Sequence, residues 1–487
     1  MAKETVHRSL GMTIARNTIV VTAGSAVLKL INFLFNVYVI RQLGDDRFGQ
    51  YSVVLAFVGI YQIFAELGIS QFVMRETAKD RTRTESLFWN LVAVRLILAV
   101  IAIIVMPSIA LALGYSQQLV LGILLFGCTF LLAAIQVPLE GVLAAHERFD
   151  YVAAIGVLGQ VVFVIAGGAF LLSGHSYLWL IIASLICQVP AVGLALFGVL
   201  RNRFLHMRVQ LQPSTWWGLV RGGLPFGVIA FTLSLAYKVD TIILKEFTTD
   251  QMVGWYNAAY NLVFSLMFLI NGFKEAIVPT LARTYVTDPG KVTQWYVRTV
   301  KVLTVVSLPI SVGGMLVAFP LIELLYTRDY LPSAMALMVL IWDVPFLMYT
   351  AFCGNITTII NQERQAARIY GINAAANILL NLWAIPRYGV MGAAIITVAT
   401  DLIGTLQFYW LLNKKLEHPA LKVVLLKTLL AAVVMGAVVY FARQMPVLVT
   451  IGIGAAVYGL MIMLLRLFDE NERDMLLRLL RPSRQTQ

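Results

Sequence analysis

The stretch "VIRQLGDDRFGQYS" (residues 39–52) closes a long apolar run and places four charges, Arg41, Asp45, Asp46 and Arg47, within seven residues. Some 205 residues later the chain writes "ILKEFTTDQMVGWYN" (243–257). Aligned with one extra residue in the second copy, Arg41 faces Lys245, Gly49 faces Gly254 and Tyr51 faces Tyr256. A charged bend that recurs in an apolar chain points to an internal duplication.

Composition sets the medium in which that duplication works. Hydrophobic residues make up 60% of the 487 positions and charged residues 13%, with a mean hydropathy of +0.82. Those values exclude an ordinary soluble domain. A helical span needs about 20 apolar residues, and the pattern predicts spans at 18–40, 52–74, 87–112, 118–142, 151–172, 177–200, 222–244, 256–280, 299–325, 333–360, 367–385, 389–412, 421–442 and 446–466. The run from Thr18 to Ile40 is too long for a signal-peptide core and is read as a retained first span.

The net charge of +12 is explained by topology. With the N-terminus in the cytoplasm, loops and tails on that side hold 27 of the 37 Lys and Arg residues. The opposite loops hold six: Arg41, Arg47, Lys245, Arg328, Arg387 and Arg443. This is the positive-inside pattern and predicts both termini in the cytoplasm. A nucleic-acid reading of the basic charge has little left to explain. Cys128, Cys187 and Cys353 sit in apolar runs and the five histidines share no ligand spacing, so neither a disulfide framework nor a metal site is expected.

The two charged bends fall between spans 1 and 2 and between spans 7 and 8. Six spans separate them, an even number, so both copies cross the membrane in the same direction. The pattern predicts an all-α polytopic membrane protein of about 14 transmembrane helices: two six-helix lobes related by a parallel repeat, plus two extra C-terminal helices. The expected boundaries are 1–200 for the N-terminal lobe, 201–221 for a cytoplasmic interfacial linker and 222–412 for the C-terminal lobe. Residues 413–487 carry spans 13 and 14 and a basic tail. The linker holds Arg201, Arg203, Arg208 and Arg221 with "WW" at 216–217, whose rings suit headgroup level. Gly49 and Gly254 are read as residues of a chain reversal, and Arg41 and Lys245 as headgroup anchors.

Ionisable residues inside spans are the candidates for function. Lys29 is 11 residues from either end of span 1, about 16 Å of helix each way, which favours a cavity over lipid; a structural ion pair is the alternative. Arg95 is eight residues from the end of span 3, so partial snorkelling competes with a cavity position. Lys238 and Asp240 lie two apart in span 7 and point to different helix faces. Lys274 and Glu275 lie near the end of span 8, where both can snorkel. Glu66, Asp343 and Asp401 complete the set; a carboxylate at such depth is protonated, paired or part of a relay. Cations in a membrane cavity suit an anionic group such as phosphate. Lys29, Arg95, Lys238 and Lys274 are therefore candidate substrate contacts, and Glu66, Asp240, Asp343 and Asp401 candidates for proton or sodium coupling. No phosphate loop of the G-x-x-x-x-G-K-[ST] type and no cofactor motif is found, and no loop is long enough to carry a catalytic domain, so an enzyme is disfavoured.

Five stretches in order resemble one family. "NILLNLWAIPRYGVMGAAIITV" (377–398), "YVIRQLGDDRFGQYS" (38–52), "ELGISQFVMRE" (66–76), "LPFGVIAFTLSLAYKVDTIIL" (224–244) with "VGWYNAAYNL" (253–262), and "LIELLYTRDYLPSA" (321–334) are similar to polysaccharide-biosynthesis flippases of the Wzx type. The resemblance implies the fold of the multidrug/oligosaccharidyl-lipid/polysaccharide exporter superfamily in a cytoplasmic (inner) membrane. It also implies alternating access that carries a polyprenyl-pyrophosphate-linked oligosaccharide to the outer leaflet for O-antigen or exopolysaccharide assembly. A polysaccharide polymerase and a chain-length regulator are the partners it suggests. A flippase of lipid-linked peptidoglycan precursors and a drug/cation antiporter share this fold and are the alternatives. An antiporter favours a more acidic cavity, and a membrane polymerase or ligase needs a large outer loop that this chain lacks.

Overall fold

In a bilayer every backbone N–H and C=O must find its partner inside the protein, which leaves helices or closed barrels. The computed structural model takes the first course: no strand occurs among the described residues, 2–79, 84–205, 208–416 and 421–468. Side chains are described from Leu28 onward, except at scattered positions such as Glu275. The basic tail expected beyond residue 468 lies outside the described residues.

Nine helices among the described residues are long and apolar enough to cross a membrane, or eleven when two bent pairs each count as one span. Two of these are longer than any bilayer. Helix α1 (Ala2–Glu66) has 65 residues and α15 (Glu363–Lys415) has 53, about 97 and 80 Å of helix against a hydrocarbon core of about 30 Å. Each is broken at one glycine, Gly44 (φ 72°, ψ 169°) in α1 and Gly389 (φ 55°, ψ −132°) in α15. Positive φ is open to glycine without a Cβ clash. The first reversal therefore turns on Gly44, five residues before Gly49.

Two compact units divide the chain. One takes in the residues up to Asn257 together with Ala374–Ala393; the other takes in Ala258–Asn373 and the residues from Ala394. The first unit contains α1 and then α2 (Ile69–Lys79), α3 (Thr84–Ala112), α4 (Gln117–Gly127), α5 (Thr129–Ala145), α6 (Phe149–Leu172), α7 (Tyr177–Arg201) and α8 (Pro213–Phe247). It also contains the start of α9 (Asp250–Ser265). One core joins α3, α5, α6 and α7 through Phe88, Leu139, Leu143, Ile155, Ala195 and Val199. A second core ties α2, α3 and α8 through Ile69, Leu91, Val94 and Leu219. The segment before α8 is pinned to α3 by Asn90, whose amide donates to the Gln210 carbonyl (3.0 Å) and accepts from the Gln212 N–H (2.7 Å) and the Trp216 indole (2.8 Å). Trp217 beside it is 73% exposed.

The second unit holds α10 (Met267–Thr287), α11 (Pro289–Leu316), α12 (Ala318–Leu325), α13 (Pro332–Leu340) and α14 (Asp343–Ile359). The outer segments of α15, then α16 (Leu421–Ala442) and α17 (Val447–Leu464), complete it. Its core sets Val305 and Val312 of α11 against Ala431, Met435 and Val439 of α16 and Tyr458 of α17. Small residues let these helices approach, as packing between membrane helices requires. Leu426, Phe441, Leu448 and Met463 turn outward and exposed, which lipid tolerates and water does not.

Candidate functional site

Charge inside an apolar helix needs partners, and three groups of polar residues supply them. The first centres on Asp240 in α8, which is buried. Its Oδ2 accepts from the Tyr256 hydroxyl of α9 (2.9 Å) and its Oδ1 from the Asn381 amide of α15 (2.8 Å). The same amide nitrogen donates to Asn377 Oδ1 one turn away (3.1 Å). Thr241 donates to Asn257 alongside (3.1 Å). Asn381 Oδ1 is buried with no hydrogen-bond partner among the described residues. The result is a nest of amide and carboxylate oxygens in a dry interior, a donor set that suits a hard cation or a proton. Groups of three or more His, Cys, Asp or Glu able to hold a metal are absent among the described residues.

Lys238, two residues earlier, turns away from this nest. Its ammonium donates to the Leu55 carbonyl in the second arm of α1 (3.4 Å) and lies over Gly59, where a Cβ would stand 2.4 Å from Nζ. Ser234 of the same helix donates to the Gly59 carbonyl (2.8 Å). The spacing of two thus separates the faces, as the sequence predicts: Asp240 meets α9 and α15, Lys238 meets α1.

The second group is built on Arg95 of α3, buried to 5% exposure. Its guanidinium donates to the Ser70 hydroxyl and the Ala133 carbonyl (3.4 Å) and stands 3.6 Å from Glu66 Oε1. Arg95 reaches inward to α1, α2 and α5 and does not snorkel. A cavity of about 230 Å³ opens beside it, lined by Glu66, Ser70, Gln71, Thr84 and Glu140 among others. Glu140 accepts from Gln136 (2.8 Å). Hydroxyl, amide and carboxylate groups lining such a cavity can bind sugar hydroxyls.

The third group lies in the second unit. Asp343, fully buried at the start of α14, stands near the Asp401 carboxyl in the second arm of α15, two acids inside apolar helices. Lys274 lies half-buried on α10, and Lys29 is exposed on the first arm of α1. Arg95 and Lys238 have separate partners: Glu66, Ser70 and the Ala133 carbonyl for the first, the Leu55 carbonyl for the second.

Two readings of the charged bends need correction. Gly49 and Gly254 are helical and serve close approach, while the reversals fall at Gly44 and at Thr248 and Thr249. Lys245 pairs with Asp250 at 2.5 Å and is only 19% exposed, whereas Arg41 is exposed. The sequence reasoning passed over the neutral partners Ser70, Tyr256, Asn377 and Asn381. The i, i+4 spacing of Asn377 and Asn381 on an apolar helix was the available signal.

Comparison with known proteins places this architecture. An uncharacterized membrane protein of Methanocaldococcus jannaschii is 29% identical over 193 residues, which is 39% of this chain and 38% of the length of that protein. The putative O-antigen transporter of Escherichia coli K12 is 22% identical over 429 residues, 83% of this chain and 98% of that one. The solved structure of the lipid II flippase MurJ in an inward closed conformation superposes with a TM-score of 0.79 at 14% identity, over 92% of this chain and 99% of that chain. The fold implied by the resemblance is therefore present in this multi-pass membrane protein. The family described as polysaccharide biosynthesis protein matches residues 39–335, more than half of the sequence, and the chain belongs to it.

Proposed function

We propose that the protein is a flippase for polyprenyl-pyrophosphate-linked oligosaccharides, acting by alternating access in the cytoplasmic (inner) membrane with both termini cytoplasmic, in the assembly of surface polysaccharide. The observation that carries this reading is the cavity lined by Glu66, Ser70, Gln71 and Glu140 inside apolar helices, with the buried Arg95 held behind Glu66 and Ser70. Sugar hydroxyls match these lining groups, and a pyrophosphate matches the Arg95 guanidinium beyond them. The lipid tail needs no polar partner and stays in the bilayer. Membership of the polysaccharide-biosynthesis family and the transporter name carried by the E. coli relative support the same substrate class. Lys29, Lys238 and Lys274 are further contacts for the anionic head. The Asp240 nest and the Asp343–Asp401 pair are where a coupling sodium ion or proton is taken up.

The test uses purified protein in liposomes containing a fluorescent polyprenyl-pyrophosphate oligosaccharide, with a membrane-impermeant quencher reporting leaflet exchange. Wild type exchanges the lipid, and Arg95→Gln, Lys29→Ala and Lys238→Ala lower the rate at least tenfold while remaining folded. Exchange of a lipid-linked peptidoglycan precursor in place of this oligosaccharide would move the assignment to the other substrate. Absence of exchange of either lipid under an imposed proton or sodium gradient would overturn the flippase reading.

A further inference from the structure

A groove of about 680 Å³ runs between the two arms of α15 at the end away from Gly389. The arms close on each other where Gly404 meets Asn373 and the Tyr370 ring meets Phe408 (centroids 5.3 Å apart). Beside that contact the groove has Ile369 and Leu411 as buried lining and Ile372 and Leu406 as exposed apolar walls.

The mouth of the groove is cationic. Arg368, Lys414 and Lys415 line it and are exposed, and no carboxylate pairs with any of them among the described residues. Lys414 lies 5.7 Å above the ring of Trp410, which is itself 68% exposed at the rim. An exposed tryptophan next to lysines at the end of two spans marks the headgroup level of a membrane. The wall adds a second polar signal: Gln407 lines the groove, and its Oε1 is buried with no hydrogen-bond partner among the described residues. That oxygen needs a donor.

We infer that this groove binds an anionic glycerophospholipid with a hydroxyl-bearing headgroup, of the phosphatidylglycerol type. The phosphate meets Arg368, Lys414 and Lys415, a headgroup hydroxyl donates to Gln407, and an acyl chain lies along Ile372 and Leu406. Basic pockets between membrane helices recognise anionic headgroups in this way. A choline headgroup brings a positive charge to the three cations and no donor to Gln407. A soluble phosphate has nothing to place on the apolar walls. The site is separate from the Arg95 cavity and does not depend on which substrate the protein carries.

The test titrates the delipidated full chain in detergent with phosphatidylglycerol, phosphatidic acid or phosphatidylcholine of equal chain length, counting bound lipids by native mass spectrometry. Wild type prefers phosphatidylglycerol to phosphatidylcholine at least tenfold, and the triple variant Arg368→Gln/Lys414→Gln/Lys415→Gln loses that preference while binding phosphatidylcholine as before. Unchanged phosphatidylcholine binding shows the variant is folded. Gln407→Leu abolishes discrimination between phosphatidylglycerol and phosphatidic acid and keeps the preference of both over phosphatidylcholine. Equal binding of phosphatidylglycerol and phosphatidylcholine by wild type, or an unaltered preference in the triple variant, would overturn the site. So would displacement of phosphatidylglycerol by inorganic pyrophosphate at equal concentration, because the groove would then bind phosphate without its lipid.

Discussion

Gly49 and Gly254 cross backbone against backbone: a Cβ on Gly49 would stand 1.8 Å from the Asp250 carbonyl oxygen, and one on Gly254 would stand 2.1 Å from the Asp45 carbonyl oxygen. The contact is reciprocal, each glycine meeting the aspartate of the other copy. Side chains join the same crossing, with Gln50 donating to Asp250 (3.2 Å) and Gln251 donating to Asp45 (2.6 Å). Trp255 adds an indole hydrogen bond to the same Asp45 oxygen (3.0 Å). The duplicated bend is thus preserved as a pair of surfaces that fit each other.

A methyl group at either glycine meets backbone, which cannot rotate away. Gly49→Ala and Gly254→Ala should each destabilise the protein by about 1–3 kcal/mol, read as a lower midpoint in detergent unfolding. Gly141→Ala is the control, since nothing lies within 4 Å of its added Cβ, and it should leave stability unchanged or slightly raised. Equal effects at all three positions would show that the crossing is looser than its geometry says.

The Arg95–Glu66 pair makes a different demand. Arg95 is buried and Glu66 only partly so, at 3.6 Å, so losing the carboxylate leaves a guanidinium with Ser70 and Ala133 alone. Glu66→Gln should cost less than Arg95→Leu, which strands Glu66 and Ser70 at a cavity edge. A double-mutant cycle between them should return a coupling of about 1–2 kcal/mol. A coupling near zero would mean that Ser70, rather than the ion pair, holds the arginine.

How much of this could be read in the sequence follows from what stands out against an apolar background. A charge inside a span is conspicuous, so Arg95, Lys238, Asp240, Asp343 and Asp401 stand out as candidates from their positions alone. Neutral partners are not conspicuous: Ser70, Tyr256 and Asn381 look like ordinary residues until the fold sets them against a charge from a distant helix. The repeat was legible because Gly49 and Gly254 share an offset with their neighbours. Their role was not, because a glycine needed for close approach and one needed for a positive φ are the same letter. Gly44 and Gly389 show the second kind. Lys245 was misjudged for a related reason, since its partner Asp250 lies across a turn whose path the sequence does not dictate.

Asp46 lies beside that turn, and its carboxyl is pushed above the ordinary range by partial burial, then by Asp250 and Asp45. A carboxyl with a raised folded-state pKa binds its proton more tightly when folded. Stability therefore falls as pH rises from the ordinary aspartate value of about 3.9 through the folded value. Asp46→Asn should remove that fall, giving a flatter unfolding midpoint across the acid range and a small gain at neutral pH. A wild-type midpoint that instead rises with pH faster than the variant's would contradict the sign.

Asp240 separates structure from coupling. Asp240→Ala removes an acceptor from both the Tyr256 hydroxyl and the Asn381 amide, and each buried hydrogen bond to a charged group so lost costs about 1–3 kcal/mol. Asp240→Asn keeps the shape and, by turning its carbonyl oxygen to one donor, keeps one of the two hydrogen bonds. The alanine variant should therefore unfold at clearly lower temperature than the asparagine variant. In flux measurements the order changes: both variants lack the charge that draws a cation into the nest, so both should lose any response of lipid exchange to a sodium or proton gradient. An asparagine variant that stays folded and still responds to the gradient would move coupling to the one other buried acid pair described, Asp343 and Asp401, where Asp401→Asn makes the same comparison.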